Sequence, residues 1–406
     1  MRRVIVSGIG VLCAIGRNRQ EFACALRQGR CGVSRIDRVD DYDLRFENGA
    51  EVKNFEPTQY LDPKQADMID RFAQFALIAA REAVAQSGIE WTPQLRDSTA
   101  IVTGSCVGGK STENQGFWDV YKMGRNRVHP MTIPKTMANA GASCISLEFG
   151  ITGPAFTIST ACASSAHAIG QAFSMVRSGM CDVAITGGSE ATFSHGILKA
   201  WEAMRVVSPT VCRPFSRDRN GMILGEGAAM LVIEALDHAR ARGAAPLAEI
   251  IGFGMSSDAH HITQPCAEGA AKAMGVAMRD AGIGPEEIGY VNAHGTGTTA
   301  NDCTETRALH LAFGGHARKL AISSTKAMHG HTLGAAGAIE TAATILSAAN
   351  GFLPPTIHFT EPDPACDLDY IPNEARIANV EYALSNSFAF GGLNAVLALR
   401  LPGNEF

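Results

Sequence analysis

The chain has 406 residues, of which 46% are apolar and 18% are charged, so it can bury a large core as one compact body or as two fused halves. A formal net charge of -5 argues against a nucleic-acid-binding protein. The eleven cysteines form no C-x-x-C pair, which indicates reduced thiols of a cytoplasmic protein rather than a disulfide framework or a zinc site.

The first apolar run, residues 4–15, follows two arginines and superficially has the order of a signal peptide. Ser7, Gly8 and Gly10 interrupt the run and no A-x-A cleavage site follows it, so we predict a buried first strand that turns at glycines. The longer apolar segments further along carry charges at helical spacing, and none of them is predicted to span a membrane.

Strand-like apolar runs then alternate with amphipathic helix patterns along the whole chain, which predicts an α/β fold with largely buried sheets. A helix over residues 67–86, a glycine stop and a strand over 99–103 are matched later by a helix over 268–281, a glycine stop and a strand over 288–293. This repetition predicts two related α/β halves, residues 1–245 and 246–406.

Directly after the strand predicted over residues 99–103, the segment 104–111 reads Gly-Ser-Cys-Val-Gly-Gly-Lys-Ser. It fits the phosphate-loop pattern G-x-x-x-x-G-K-S/T. Two observations disfavour a nucleotide triphosphatase. No convincing strand ends in a magnesium-binding Asp, and the residues after Ser111 are weak helix formers.

A candidate nucleophile, Cys162, lies in Phe-Thr-Ile-Ser-Thr-Ala-Cys-Ala-Ser-Ser (156–165), between a predicted strand and a helix that runs from about residue 164 to 177. A thiol at such a turn is near the positive end of the helix dipole, which favours the thiolate, and its small neighbours let a ligand approach. The alternative is a small buried apolar residue, which is the usual situation of a free cysteine.

Two histidines follow other predicted strands. His294 lies in Asn-Ala-His-Gly-Thr-Gly-Thr (292–298), and His331 ends Ser-Ser-Thr-Lys-Ala-Met-His-Gly-His (323–331). The glycine-rich turns predict imidazoles held at a sheet edge, where a histidine bonded only to backbone is the alternative. His329 and His331 alternate as metal ligands do, but no carboxylate or cysteine nearby completes a site.

Together, the cysteine segment, the turn at 294–298, Lys326 followed by His331, and Asn-Ser-Phe-Ala-Phe-Gly-Gly-Leu-Asn (386–394) resemble the β-ketoacyl-acyl carrier protein synthases. The resemblance runs from Val4 to about Leu401. Segments 198–203 and 361–369 look especially like the nodulation-type ketosynthases, which act on specialised acyl chains. The resemblance implies a five-layered α-β-α-β-α thiolase fold built from two duplicated halves. It also implies a homodimer, and substrates carried on the phosphopantetheine of acyl carrier protein, without a metal or a redox cofactor.

The resemblance also implies residue roles. Cys162 is expected to accept the acyl chain, while His294 and His331 hydrogen-bond the malonyl thioester oxygen as carbon dioxide leaves. Lys326 is expected beside His331, with Glu340 completing a buried charged network.

Other residues are implied as parts of the substrate site. Phe390 is expected to gate the acyl pocket and to provide, with Cys162, the backbone N–H groups of an oxyanion hole. Thr296 and Thr298 are expected to contact the phosphopantetheine arm. Gly391 is expected in the gating loop, and Asp258 and His261 in a second mobile loop. The expected pocket residues are Val107, Thr132 and Trp201, and Thr132 is expected at a dimer interface.

Two competing interpretations come from the same resemblance. A non-catalytic chain-length-factor partner of a ketosynthase heterodimer typically lacks the active cysteine, whereas Cys162 and both histidines are present here. A degradative thiolase uses a second cysteine in a C-terminal glycine-rich loop, whereas residues 390–393 contain none and Cys366 lies in a segment with a surface-like composition. The acyl chain length, the pathway, the cognate carrier protein and the choice between homodimer and heterodimer stay open at this point.

Overall fold

A computed structural model describes residues 1–38 and 44–402. Within those residues, ten strands form one continuous hydrogen-bonded ladder, and two pairs of two-residue strands lie apart from it. The ten strands are β1 (Val4–Cys13), β2 (Thr99–Gly104), β3 (Ala155–Ile158), β4 (Val183–Glu190), β5 (Gly227–Ala235), β6 (Ala248–Ser257), β7 (Ile288–Asn292), β8 (Ala321–Ser323), β9 (Tyr382–Ala389) and β10 (Leu393–Arg400).

Fourteen α-helices lie in the same described part of the chain, and none combines the length and the apolar character needed to cross a bilayer. They are α1 (Arg19–Gln28), α2 (Pro63–Met68), α3 (Arg71–Ser87), α4 (Pro93–Asp97), α5 (Lys110–Phe117), α6 (Thr132–Thr136), α7 (Ala140–Phe149), α8 (Ser164–Ser178), α9 (His195–Met204), α10 (Leu236–Ala241), α11 (Ala267–Ala281), α12 (Thr299–Phe313), α13 (Lys326–His329) and α14 (Ala336–Ala349).

The strand order is symmetric about its centre. It runs β3-β2-β4-β5-β1 through the first half, and after the step from β1 to β6 it continues β6-β10-β9-β7-β8. The step is short, because β1 and β6 pair antiparallel through three residue pairs, the first being Val4 with Ile250. The short step divides the ladder into two five-stranded sheets. Each strand of one sheet has a counterpart in the other, which is the arrangement that a duplicated fold produces.

Helices cover both sheets and also separate them. α3 packs on β1, β5 and β4 on one outer side, and α11 packs on β6, β10 and β9 on the other, with α12 beside it. α8 and α14 contact strands of both sheets, so they form the layer between them. The result is the five-layered α-β-α-β-α order that the resemblance implies. All residues of β1 and β5 are buried, as expected for strands covered on both faces.

The helix predicted over residues 67–86 is two helices. α2 ends at Met68, and α3 begins at Arg71 because the Asp70 side chain caps it, accepting a hydrogen bond from the Phe72 N–H at 3.2 Å. The predicted stop is correct, since Gly88 has a φ of 64°.

The segment that fits the phosphate-loop pattern forms a turn after β2 and leads into α5. The helix begins at Lys110, so the expectation of poor helix formation there was wrong, because its first turn is anchored by Asp70, which accepts from the N–H of Thr112 at 2.8 Å. The N–H groups of Cys106 and Val107 in the turn donate to the carboxylate of Glu190. The turn thus binds an anion, but the anion belongs to the protein itself.

Candidate active site

Cys162 lies at the sharp turn between β3 and α8, as the sequence pattern predicts. Ala161 before it has a φ of 48°, a left-handed conformation that costs a residue with a Cβ roughly 1–2 kcal/mol. The Ser164 hydroxyl holds this turn, since it donates to Ala161 O at 2.6 Å and accepts from Thr160 N at 2.9 Å. The strained turn presents the thiol to a cavity, and the residue is 6% exposed.

The acidity of Cys162 differs from the sequence-based expectation of a stabilised thiolate. Burial raises the pKa of the thiol to about 12. The charge of Lys326 and a hydrogen bond from the Phe390 backbone act in the opposite direction but do not offset burial. The candidate nucleophile is therefore a thiol at neutral pH, and attack by its sulfur would require loss of that proton.

His294 follows β7, and its position is set by two buried side chains. The N–H groups of His294 and Gly295 donate to the carboxylate of Glu305, at 2.9 and 2.8 Å. Its ring Nδ1 lies 3.2 Å from Lys326 Nζ. An ammonium group can only donate, so Nδ1 accepts and the ring proton belongs on Nε2.

His331 reaches the same tautomer by a different contact. Its backbone N–H donates to Ile223 O at 2.6 Å, and its Nδ1 accepts from the Leu333 N–H at 3.3 Å. The ring proton therefore belongs on Nε2 here as well. The two imidazole rings lie 5.3 Å apart between centroids and nearly perpendicular, at 84°.

Both imidazoles are held neutral. Burial lowers the pKa of His294 and of His331 well below the usual value, and the positive charge of Lys326 lowers both further. A neutral ring whose Nδ1 accepts has one N–H left to donate, on Nε2. The site thus offers two neutral donors to an oxygen atom that develops negative charge.

Lys326 and Glu340 form a fully buried ion pair beside the histidines. As expected, Lys326 lies near enough to His331 for its charge to lower the pKa of that imidazole, and its Nζ also contacts Nδ1 of His294. Nδ1 of His331 accepts from the Leu333 backbone N–H instead. Burial raises the pKa of Glu340 to about 7, and Lys326 opposes this shift.

A cavity of about 220 Å³ is lined by Cys162, His294 and His331. Thr296 and Thr298 also lie on its wall, with their hydroxyl oxygens 2.8 Å apart. The structure thus brings together five residues from three separate segments of the sequence. The expected contact of the two threonines with a phosphopantetheine arm stays a prediction.

Two aromatic side chains form another part of the wall. Phe390 and Trp201 both line the cavity, and their rings lie 6.1 Å apart between centroids, at 30°. The Phe390 backbone N–H also hydrogen-bonds the Cys162 sulfur. The expected gate therefore lies directly against the nucleophile.

The loop after β6 packs on the loop that carries Phe390. Asp258 and His261 both line the cavity, and the Asp258 N–H donates to Gly392 O at 2.9 Å. Gly391 donates its N–H to Ile262 O at 2.7 Å. The two loops that the resemblance implies are mobile are thus hydrogen-bonded to each other at the mouth of the cavity.

Two family models match the chain, the N-terminal domain of β-ketoacyl synthase over residues 1–239 and the C-terminal domain of β-ketoacyl synthase over residues 247–360. The chain belongs to the β-ketoacyl synthase family. This ketosynthase is 45% identical over 401 residues to Nodulation protein E of a Rhizobium species, covering 98% of this chain and 99% of the relative. It is 41% identical over 406 residues to 3-oxoacyl-(acyl-carrier-protein) synthase 2 of Staphylococcus aureus, covering 98% of each.

Among solved structures, the ishigamide ketosynthase/chain length factor matches with a TM-score of 0.94 at 36% identity, covering 99% of this chain and 100% of that chain. The resemblance drawn from the motifs is therefore confirmed, and so is the thiolase fold. The protein is an enzyme of the acyltransferase type.

Two expected pocket residues lie outside the cavity of this single ketosynthase chain. Val107 is in the turn after β2, where its N–H donates to Glu190 at 3.3 Å. Thr132 begins α6 on a face that also carries the exposed Ile133, and its hydroxyl donates to His129 O at 2.6 Å. Exposed apolar side chains on α5 and α6 are compatible with a dimer interface there. The expected role of Thr132 at such an interface stays a prediction.

The expectation that Cys366 lies in a surface segment was wrong. It is 3% exposed and lies in a cluster with Cys303 and Asp363 whose ligand atoms are within 4.8 Å of one another. Arg219 donates to the Asp363 carboxylate at 2.6 Å and to the Cys303 sulfur at 2.9 Å. The guanidinium thus already supplies positive charge where a metal ion would bind.

His329, considered with His331 as a metal ligand, has both ring nitrogens engaged. Nδ1 lies 2.9 Å from Gly330 O and Nε2 lies 2.9 Å from Thr325 Oγ1. It therefore has a structural role in the turn after α13.

Sequence reasoning missed three buried acids around the site. Glu305 holds the His294 backbone, and Asp302 accepts from the N–H groups of Gly297 and Phe215, at 3.2 and 2.7 Å. Their three-residue spacing, directly after the histidine turn, was the available signal. Glu190, at the end of β4, had no comparable signal, because nothing local shows which turn its carboxylate reaches.

Proposed function

We propose that this ketosynthase joins an acyl group to a two-carbon unit from malonyl-acyl carrier protein by decarboxylative Claisen condensation. The observation that carries the proposal is the single cavity that contains the Cys162 thiol and two neutral imidazoles, each with its proton on Nε2. Such donors stabilise an enolate without transferring a proton to it.

In the first step the Cys162 sulfur attacks the thioester carbonyl of an acyl group delivered on phosphopantetheine. The acyl–cysteine bond forms and the bond to the phosphopantetheine sulfur breaks. The proton of the Cys162 thiol ends on the departing phosphopantetheine thiol, so the exchange balances. Because the thiol is protonated at neutral pH, its deprotonation accompanies the attack.

In the second step malonyl-acyl carrier protein enters with its thioester oxygen between His294 and His331. The bond to the carboxylate breaks, carbon dioxide leaves, and the electron pair becomes an enolate whose oxygen accepts hydrogen bonds from the two Nε2–H groups. Lys326 supports this step indirectly, since its ammonium group keeps Nδ1 of His294 an acceptor.

In the third step the enolate carbon attacks the acyl-Cys162 carbonyl. Backbone N–H groups of Cys162 and Phe390 stabilise the tetrahedral oxyanion, which fits the hydrogen bond of Phe390 to the cysteine sulfur. The carbon–sulfur bond then breaks, the β-ketoacyl product leaves on the carrier protein, and the cysteine sulfur regains a proton from water.

The chemistry of these steps needs a thiol, two neutral donors and backbone dipoles, so we propose that no metal or redox cofactor takes part. The partner is an acyl carrier protein, consistent with the name of the Staphylococcus aureus relative. We propose that Thr296 and Thr298 hydrogen-bond the phosphopantetheine arm as it passes toward Cys162, which is supported by their position on the cavity wall.

We further propose a homodimer in the cytoplasm, with the chain divided into halves at residues 1–245 and 246–406. Large exposed apolar side chains on and near α5 to α7 support the dimer, as does Phe156 on the edge strand β3. All eleven cysteines are free, which supports a reducing compartment. A heterodimer with a second ketosynthase homologue is the other candidate, since the matched ishigamide structure is titled as a ketosynthase and chain length factor.

We propose that the acyl chain belongs to fatty-acid biosynthesis or to a specialised pathway. The higher identity to Nodulation protein E, 45% against 41% for the Staphylococcus aureus synthase, supports a specialised chain. A non-catalytic chain-length-factor role is disfavoured, because Cys162 and both histidines share one cavity.

The test separates acyl loading from decarboxylation. His294→Ala and His331→Ala should still form the acyl-enzyme, detected by intact-protein mass spectrometry, while carbon dioxide release from malonyl-acyl carrier protein falls by about 10²- to 10³-fold. His316→Ala is the matched control, because that histidine bonds Ile288 O away from the cavity. Equal loss of loading and decarboxylation in the two active-site variants would contradict the assigned roles.

A further inference from the structure

Glu190 is a fully buried carboxylate that none of these three steps uses. It ends β4, beside the turn that fits the phosphate-loop pattern, and it is 0% exposed. Its hydrogen-bond partners in the structure are neutral N–H and O–H groups, so dipoles hold the carboxyl group in place. Burying such a group is costly unless the contacts it makes are needed.

Both oxygens of Glu190 accept from the glycine turn after β2. Oε2 lies 2.6 Å from the Cys106 N–H, while Oε1 lies 3.1 Å from the Ser105 hydroxyl and 3.3 Å from the Val107 N–H. Glu190 thus fixes the turn that runs behind the cysteine pocket, where Cys106 packs in one cluster with Cys162.

The fourth contact crosses to the second half of the chain. Oε2 also accepts from the Gly334 N–H, at 3.1 Å. The residue before it, Leu333, has a φ of 46°, which a side chain with a Cβ adopts only under constraint. The N–H of Leu333 is the group that donates to Nδ1 of His331.

Two hydrogen bonds and the peptide bond between Leu333 and Gly334 thus connect Glu190 to His331. We infer that Glu190 is a positioning residue that keeps the Leu333 N–H on Nδ1 of His331, and so keeps the ring proton on Nε2 for donation to the enolate. This inference rests on the proposed role of His331. It also explains why the turn after β2 has the form of an anion site, since its anion is Glu190.

The packing around Gly334 leaves little freedom for any other arrangement. A Cβ on Gly334 would lie 2.3 Å from the Cys106 nitrogen and 2.5 Å from Glu190 Oε2. The backbone at Gly334 therefore lies directly on the carboxylate and its turn. Removing the carboxylate removes the acceptor of the Gly334 N–H, directly after Leu333 and its left-handed backbone conformation.

The test compares Glu190→Ala and Glu190→Gln with Glu234→Gln. Glu234 is the matched control, because it is a fully buried carboxylate on the neighbouring strand β5 at the opposite end of the sheet, where it pairs with Val183. The distance along β4 from Val183 to Glu190 is roughly 23 Å at about 3.3 Å per residue. His331→Ala is assayed alongside, to give the loss expected when the histidine itself is removed.

We expect Glu190→Ala to lose about 10- to 100-fold in carbon dioxide release from malonyl-acyl carrier protein, by analogy with the loss when an outer-shell partner of a metal-ligating histidine is removed. Acyl loading of Cys162 should stay within about threefold of the wild type. Glu190→Gln keeps one accepting oxygen and should fall between, which a merely structural role does not predict. Glu234→Gln should decarboxylate at the wild-type rate.

Parallel loss of loading and decarboxylation in the Glu190 variants would overturn the inference, as would decarboxylation within threefold of the wild type. If Glu190→Ala does not fold, Glu190→Gln decides by the same two measurements. A large loss in His331→Ala without loss in the Glu190 variants overturns only the role of Glu190, whereas full decarboxylation in His331→Ala overturns the proposed function of the histidine and the inference with it.

Discussion

Lys326→Met tests how the buried ion pair contributes to stability and to chemistry. The substitution removes the cation and leaves the Glu340 carboxylate fully buried without its partner. Breaking a buried ion pair in this way costs about 3–5 kcal/mol of unfolding free energy. In the double variant Lys326→Met/Glu340→Gln the unpaired charge is gone, so we expect most of that loss to be recovered. Urea unfolding of both variants measures the difference.

The effect on catalysis should not be recovered in the double variant. Without the ammonium group, Nδ1 of His294 has lost its donor at 3.2 Å, and the ring proton can occupy either nitrogen. We expect about 10- to 100-fold slower carbon dioxide release from malonyl-acyl carrier protein in both variants. This assay needs no acyl group on Cys162, so it reports on the histidines alone.

Arg71→Met is the matched control, because Arg71 and Glu226 form another buried ion pair, with side chains 8% and 0% exposed. It should lose a similar amount of unfolding free energy and keep the wild-type decarboxylation rate. If the double variant at Lys326 and Glu340 decarboxylates like the wild type, the lysine serves only to neutralise Glu340. That result would refute the proposal that Lys326 keeps the ring proton of His294 on Nε2.

Four further outcomes are expected. Cys162→Ala should stop condensation while malonyl decarboxylation persists, and in the wild type mass spectrometry should find the acyl group on Cys162 alone; a label on another cysteine would contradict this. Because burial raises the pKa of Cys162 to about 12, its alkylation by iodoacetamide should be about 100-fold faster at pH 9 than at pH 7, and a plateau below pH 8 would show a thiolate instead. Thr132→Phe should shorten the acyl chains accepted by the dimer, measured with a series of acyl-acyl carrier proteins; unchanged preference would remove Thr132 from the pocket. Burial raises the pKa of Glu190 from 4.5 to about 7, so between these values the native chain binds more protons than the unfolded chain, and the wild type should lose unfolding free energy relative to Glu190→Gln as the pH rises through that range. Urea unfolding at pH 5 and pH 7.5 checks this, and a constant difference between the two proteins would mean that Glu190 does not titrate there.

The class of fold and the candidate reacting groups could be predicted from local patterns in the sequence. A thiol between a strand and a helix, and two histidines each between a strand and a glycine-rich turn, are local patterns, so Cys162, His294 and His331 could be found without coordinates. The alternation of strands and helices and its repetition predicted two related halves for the same reason, since hydrophobic periodicity acts over one element at a time.

The pKa values and tautomers of these groups could not be predicted from the sequence, because they depend on contacts between distant parts of the chain. Lys326 lies 32 residues from His294, and which histidine its ammonium reaches follows from the packing of α13 and from the prior hydrogen bond on His331. The pKa of Cys162 was misjudged from sequence because the helix dipole is visible in the pattern, whereas the extent of burial is not. Glu190 and Gly334 are 144 residues apart, and their contact exists only because two sheets pack against the same central helices. Short segments of the sequence show which reactive side chains are present. Desolvation and long-range hydrogen bonds arise only when the layers of the fold pack together.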